Sequence, residues 1–156
     1  MPKNTPVSYY IHPVKGNDAN PGTSLEKPFQ TLSQIGKLHL NPGDKIFLAA
    51  NEEYEGNLRL VNQQGDPGNP ITITSIDWNA NQKNLPALIN FKGRSIGILI
   101  QDCSYIQVSN LRLTGNGFGT SNEKSALRSA VLVNNMNDPD MNHIQLDHLS
   151  IKDVYY

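Results

Sequence analysis

IQVSNLRLTG at residues 106–115 aligns without a gap to IQLDHLSIKD at residues 144–153, an offset of 38. ITITS, beginning at Ile71, matches the first half of both at an offset of 35. Strands that match while the spacing between them varies imply fixed strands joined by variable loops, the mark of a repeat architecture. Each stretch alternates apolar and polar residues, so each is a strand with one face in and one face out. Working outward, the same pattern appears in KIFLA (45–49), NLRLV (57–61), ALINF (87–91), GILIQ (97–101) and AVLVN (130–134). Three strands per turn satisfies this order. ITITS, ALINF and GILIQ make one coil, IQVSN, LRLTG and AVLVN the next, and IQLDH with LSIKD begin a third. The expected fold is all-β, a right-handed parallel β-helix whose coils stack about 4.8 Å apart. An antiparallel sandwich also uses many short strands. It would need hairpin turns, yet IQVSN runs straight into LRLTG. A corner at Asn110 explains that junction, because asparagine tolerates the left-handed backbone region, and His148 takes the same place in the second copy. The chain's 19 asparagines fit a fold with many tight corners.

Upstream lies one helical pattern, from Pro28 to about Leu40, with Phe29, Leu32 and Ile35 on one face. Pro28 suits a first helical turn, and Asn41-Pro42-Gly43-Asp44 ends the pattern as a type II turn. The expectation is an N-terminal capping α-helix over the first coil. Residues 1–44 form an N-terminal strand, loop and capping helix, and 45–156 form the coils. The chain stops at KDVYY within its third coil, which implies that further coils follow.

Composition narrows the function. The chain has 156 residues and a net charge of −1, which gives no sign of a nucleic-acid partner. No run of about 20 apolar residues exists to span a membrane. The single cysteine, Cys103, excludes an internal disulfide and reads as a small buried hydrophobe.

YYIHPVKGNDANPGTSLEKPFQTLSQI, LNPGDKIFLAANEEYEGNLRL and GNPITITS resemble the N-terminal region of secreted bacterial β-helix proteins. These are the pectate lyases of polysaccharide lyase family 9 and, more loosely, the alginate lyases and chondroitinase B of family 6. Gly16, Asp18, the Asn20-Pro21-Gly22-Thr23 run and Pro28-Phe29 carry the resemblance, which covers residues 9–115. It implies a secreted or cell-surface polysaccharide lyase that cleaves an acidic, uronate-containing polysaccharide by β-elimination, with calcium as a possible cofactor. It brings no catalytic residue onto a position of this chain. A noncatalytic carbohydrate-binding or adhesion module, and an inverting glycoside hydrolase, use the same scaffold and stay open.

Two constellations could carry chemistry. Stacking ALINFK, LRLTG and LSIKD puts Asn90, Arg112 and Ser150 in one outward column and Lys92, Thr114 and Lys152 in the next. Asn90, Lys92, Arg112 and Lys152 would then face one side as a basic strip for an anionic sugar polymer, with solvated surface charge as the plain alternative. Asp138 and Asp140, in NDPDMN, could supply oxygen ligands to calcium, although Asp-Pro also makes ordinary turns. Asp18 reads as an Asx turn in its loop. The four histidines read as corner or surface residues. Tyr54, Trp78 and Phe118, in or near loops, could stack on sugar rings. The insert from Asn116 to Ser129 could wall a groove.

Overall fold

The structure, a computed structural model, describes residues 5–79, 84–115, 128–137 and 140–154. Its strands are β1 (Ser8–Ile11), β2 (Lys45–Ala49), β3 (Glu53–Glu55), β4 (Leu58–Val61), β5 (Ile71–Ile76), β6 (Ala87–Asn90), β7 (Ile96–Gln101), β8 (Ile106–Thr114), β9 (Ser129–Asn134) and β10 (Ile144–Lys152). A 3-10 helix (Leu32–Lys37) sits between β1 and β2.

Every ladder between these strands is parallel. The first ladder runs β1, β2, β5, the first half of β8 and the first half of β10. The second runs β3, β6 and the second halves of β8 and β10. The third runs β4, β7 and β9. The chain thus visits ladders one, two and three in turn and returns to the first, as parallel neighbours require a crossover. The fold is all-β with parallel sheets, and the hairpin-joined sandwich is out.

The repeat holds to the residue. Ile106 pairs with Ile144 and Val108 with Leu146, and Ile71 and Ile73 pair with Ile106 and Val108. Asn110 and His148 occupy the same bend, with φ of 56° and 47°. Inward side chains from the three ladders meet in one core that includes Ile46, Ile73, Val108, Ile89, Leu113, Leu60 and Ile100. Each such side chain stabilises by roughly 1.5–3 kcal/mol on burial. Cys103 is buried there, and burial pushes its thiol pKa up. Asn41–Asp44 is the expected turn, closed by Asp44 N–H to Asn41 O at 3.0 Å with Gly43 at φ 89°.

Three expectations are corrected. The capping α-helix is a six-residue 3-10 helix, and the described residues contain no α-helix. Leu32 and Ile35, its two buried residues, lie three apart, which matches three residues per turn better than 3.6. Phe29 belongs to extended backbone instead: its N–H donates to Tyr10 O and its carbonyl accepts from His12 N–H. β3 was missed, because EYE reads as loop. Tyr54, expected in a loop, is 2% exposed in the core, donating to Ile11 O at 2.6 Å and accepting from Ala49 N–H at 2.8 Å.

The third correction concerns register. Ala87, Ile89 and Asn90 pair with Leu111, Leu113 and Thr114. Asn90, Thr114 and Lys152 therefore form one outward column, and Leu88, Arg112 and Ser150 the next. Lys92 lies beyond the end of β6, in no column.

Candidate functional site

An open groove of about 550 Å³ lies between the 3-10 helix and the outer sides of β3 and β4. Lys37, Glu55, Arg59 and Arg94 line it. Arg59 points out because it alternates with Leu58 and Leu60, which are at most 1% exposed. Glu55 points out for the same reason, following buried Tyr54. Arg94 closes the turn after β6, where its N–H donates to Phe91 O at 2.9 Å and Gly93 takes φ 75°. Gly56 has φ 116°, and a Cβ there would lie 3.8 Å from Arg94 Nε and Nη2. A side chain at position 56 would thus come into van der Waals contact with the guanidinium, and glycine leaves that space open. A second depression, of about 180 Å³, shares Glu55, Gly56 and Arg94 with the groove and adds Asn90 and Lys92.

Of the basic strip expected from the sequence, the structure brings Asn90 and Lys92 to the depression beside the groove and leaves Arg112 and Lys152 elsewhere. Asn90 is occupied structurally, donating to Glu53 Oε1 at 2.7 Å and accepting from Lys92 N–H at 3.2 Å. Arg112 Nε donates to Pro86 O at 2.7 Å, tying β8 to the start of β6. Lys152 stands exposed at the end of β10. Of the calcium pair, Asp138 lies outside the described residues, and the Asp140 carbonyl accepts from Asn142 Nδ2. Among the described residues no three His, Cys, Asp or Glu side chains gather as metal ligands. Phe118 and most of the 116–129 insert also lie outside the described residues.

Lys37, Glu55, Arg59 and Arg94 were not singled out from the sequence. They come from four separate elements, and only Arg59 carried a local signal, as the one charge inside an alternating strand.

Two further polar centres are structural. Asp18 accepts from Gln30 N–H at 2.8 Å and Thr31 N–H at 2.9 Å, and its Oδ2 accepts from Thr31 Oγ1 at 2.7 Å. It clamps the entry to the 3-10 helix across 12 residues of chain. His12, expected at the surface, is 3% exposed. Its Nδ1 accepts from Val14 and Lys15 N–H, leaving Nε2 to face Glu52 Oε1 at 3.7 Å. Burial lowers its pKa, opposed by the Glu52 charge. Trp78 packs edge-on against the imidazole, 4.9 Å between centroids, and against Tyr10 at 6.2 Å.

No family model matches the chain. It is 27% identical over 191 aligned positions to the lacto-N-biosidase of Bifidobacterium longum subsp. longum, covering 95% of this chain and 12% of that protein. The native crystal structure of the GH136 lacto-N-biosidase from Eubacterium ramulus superposes with a TM-score of 0.80 at 27% identity, covering 94% of this chain and 27% of that one. Its selenomethionine derivative gives 0.76 at 26% identity, covering 95% and 27%. The chain thus spans little more than a quarter of the solved relative and about an eighth of the curated one.

These relatives are glycoside hydrolases. They overturn the resemblance to pectate lyases of polysaccharide lyase family 9 and the family 6 enzymes, and with it the reading of a polysaccharide lyase acting by β-elimination. Of the two alternatives, the glycoside hydrolase is the one they favour. No helix among the described residues is long and apolar enough to cross a membrane.

Proposed function

We propose that the chain is a right-handed parallel β-helix that serves glycan hydrolysis of the lacto-N-biosidase type. The superposition on the Eubacterium ramulus enzyme over 94% of this chain, with a TM-score of 0.80, carries this reading. The cyclic visit to three parallel ladders supports the β-helix, and parallel crossovers are right-handed in nearly all proteins. On this reading the substrate is an oligosaccharide from which lacto-N-biose is released.

The groove between the 3-10 helix, β3 and β4 is then a sugar-holding subsite. Hydrolysis of a glycosidic bond ordinarily uses two carboxylates flanking it. Among the described residues that line the groove, Glu55 is the sole carboxylate. The groove therefore suits holding and orienting a glycan rather than cleaving it.

Incubating the protein with p-nitrophenyl lacto-N-bioside tests the proposal. The expected result is release of p-nitrophenol with free lacto-N-biose. Pectate or alginate should give no unsaturated-uronate absorbance. Absence of hydrolysis, together with absence of lacto-N-biose binding by titration calorimetry, overturns it.

A further inference from the structure

We propose that the groove recognises an oxyanion, carboxylate or sulfate, carried by the glycan. That the ligand is a sugar rests on the functional reading above; that it is anionic rests on the groove's own residues.

Lys37, Arg59 and Arg94 line the groove, and Lys92 lines the depression that shares Arg94 with it. Against these four cations stand Glu55 and, bonded to Asn90 of the depression at 2.7 Å, Glu53, for a local excess of two positive charges (four minus two) on a chain whose net charge is −1. Among the described residues none of the four forms an ion pair, and the ion pairs found involve His12 and His148. The four cations come from three segments, the 3-10 helix, β4 and the turn after β6, and their combined positive field would draw an oxyanion into the groove.

The cluster is also shaped. Arg94 has its backbone fixed by the turn Phe91–Arg94, and Gly56 leaves open the space beside its guanidinium. Arg59 is fixed at its root by core neighbours on both sides. Two guanidinium groups can each present paired N–H donors to a carboxylate or sulfate, which lysine ammoniums cannot. The cavity of about 550 Å³ suits a short stretch of oligosaccharide. A long polyanion such as nucleic acid would need a wider basic track than a chain of net charge −1 offers.

Titration of the protein with three probes tests the inference: neutral lacto-N-biose, its 3′-sialyl form carrying a carboxylate, and its 6-sulfo form carrying a sulfate. At about 20 mM salt at least one anionic probe should bind about tenfold more tightly than the neutral one, and the gain should shrink severalfold at about 200 mM. The preferred probe identifies the oxyanion. Arg59→Ala and Arg94→Ala should each remove most of the gain, Arg94→Lys should keep part of it, and Lys152→Ala, outside the groove, should keep it whole. Arg59 and Arg94 are exposed, so circular dichroism should show these variants folded. Equal binding of all three probes overturns the inference while leaving glycan binding intact. A gain that survives both arginine variants places the anion elsewhere and also overturns it. No binding of any probe overturns the inference, and together with absence of hydrolysis it overturns the glycan reading beneath it as well.

Discussion

Asp18 shows how one side chain serves architecture. Partial burial works against its charged form, but the hydrogen bonds from Thr31 and Gln30 outweigh that and hold the carboxyl below the usual carboxylate range. A carboxylate with a depressed folded pKa stabilises the fold above its unfolded pKa, about 3.9, and that stability is lost as pH falls through the folded value. Asp18→Asn keeps an acceptor for the two N–H groups but cannot titrate. In urea denaturation at pH 7 and pH 3, the wild type should lose more stability between the two pH values than Asp18→Asn does. Equal losses would show that the clamp does not depend on charge. The residues that carried the lyase resemblance share this character. Asn20 Nδ2 donates to Pro28 O at 2.8 Å. Gly22, at φ 72°, leaves no room for a Cβ beside the Phe29 ring. Such a motif reports how the chain enters its first parallel strands and nothing of what the finished surface does, so a resemblance carried by these residues misled about the reaction.

At the scale of elements, the sequence exposed the strands and concealed their exact stacking. Alternation identified β2 and β4 to β10 and the inward residues, and the direct repeat between β8 and β10 set their register. The alignment of β6 with β8 came out two residues off. A slip of two leaves every side chain on its own face, so a period-2 pattern is blind to it; only a slip of one would turn the core outward. That slip is why Lys92 was placed in one column with Thr114 and Lys152 when it lies with Arg94 at the depression beside the groove. The groove itself was illegible, since its residues lie up to 63 positions apart (31 to 94). The 3-10 helix was mistaken for an α-helix because two buried residues three apart satisfy either period loosely. The inward assignment of β8 has a sharp test. Val108 is 1% exposed between Ile73 and Leu146. Val108→Asp buries a carboxylate without a partner and should cost about 3–5 kcal/mol. Chemical denaturation should show a largely unfolded variant, and a loss under about 1 kcal/mol would mean that Val108 is not in the core.

Across the whole molecule, burial falls off toward β10. β8 is flanked on both sides, by β5 and β6 on one and by β10 on the other. β10 pairs only with β8 among the described strands. Its inward residues repeat those of β8, yet Leu146 is 42% and Ile151 48% exposed where Val108 is 1% and Leu113 0%. In stacked repeats each layer is stabilised by its neighbours, so a layer with one described neighbour opens at lower free energy than one with two. Hydrogen exchange on the 156-residue chain should therefore find the slowest amides in β8 and β7 and faster exchange through β10. Leu146→Asp places its charge within reach of water and should cost about 1 kcal/mol or less, against the several expected for the same change at Val108. The pair makes a control for each other: the residues occupy equivalent places in the repeat and differ in whether another layer covers them. Protection in β10 equal to that in β8, with Leu146→Asp as damaging as Val108→Asp, would mean that β10 is covered in solution, and the covering surface would then have to present apolar residues at alternate positions to meet Leu146 and Ile151.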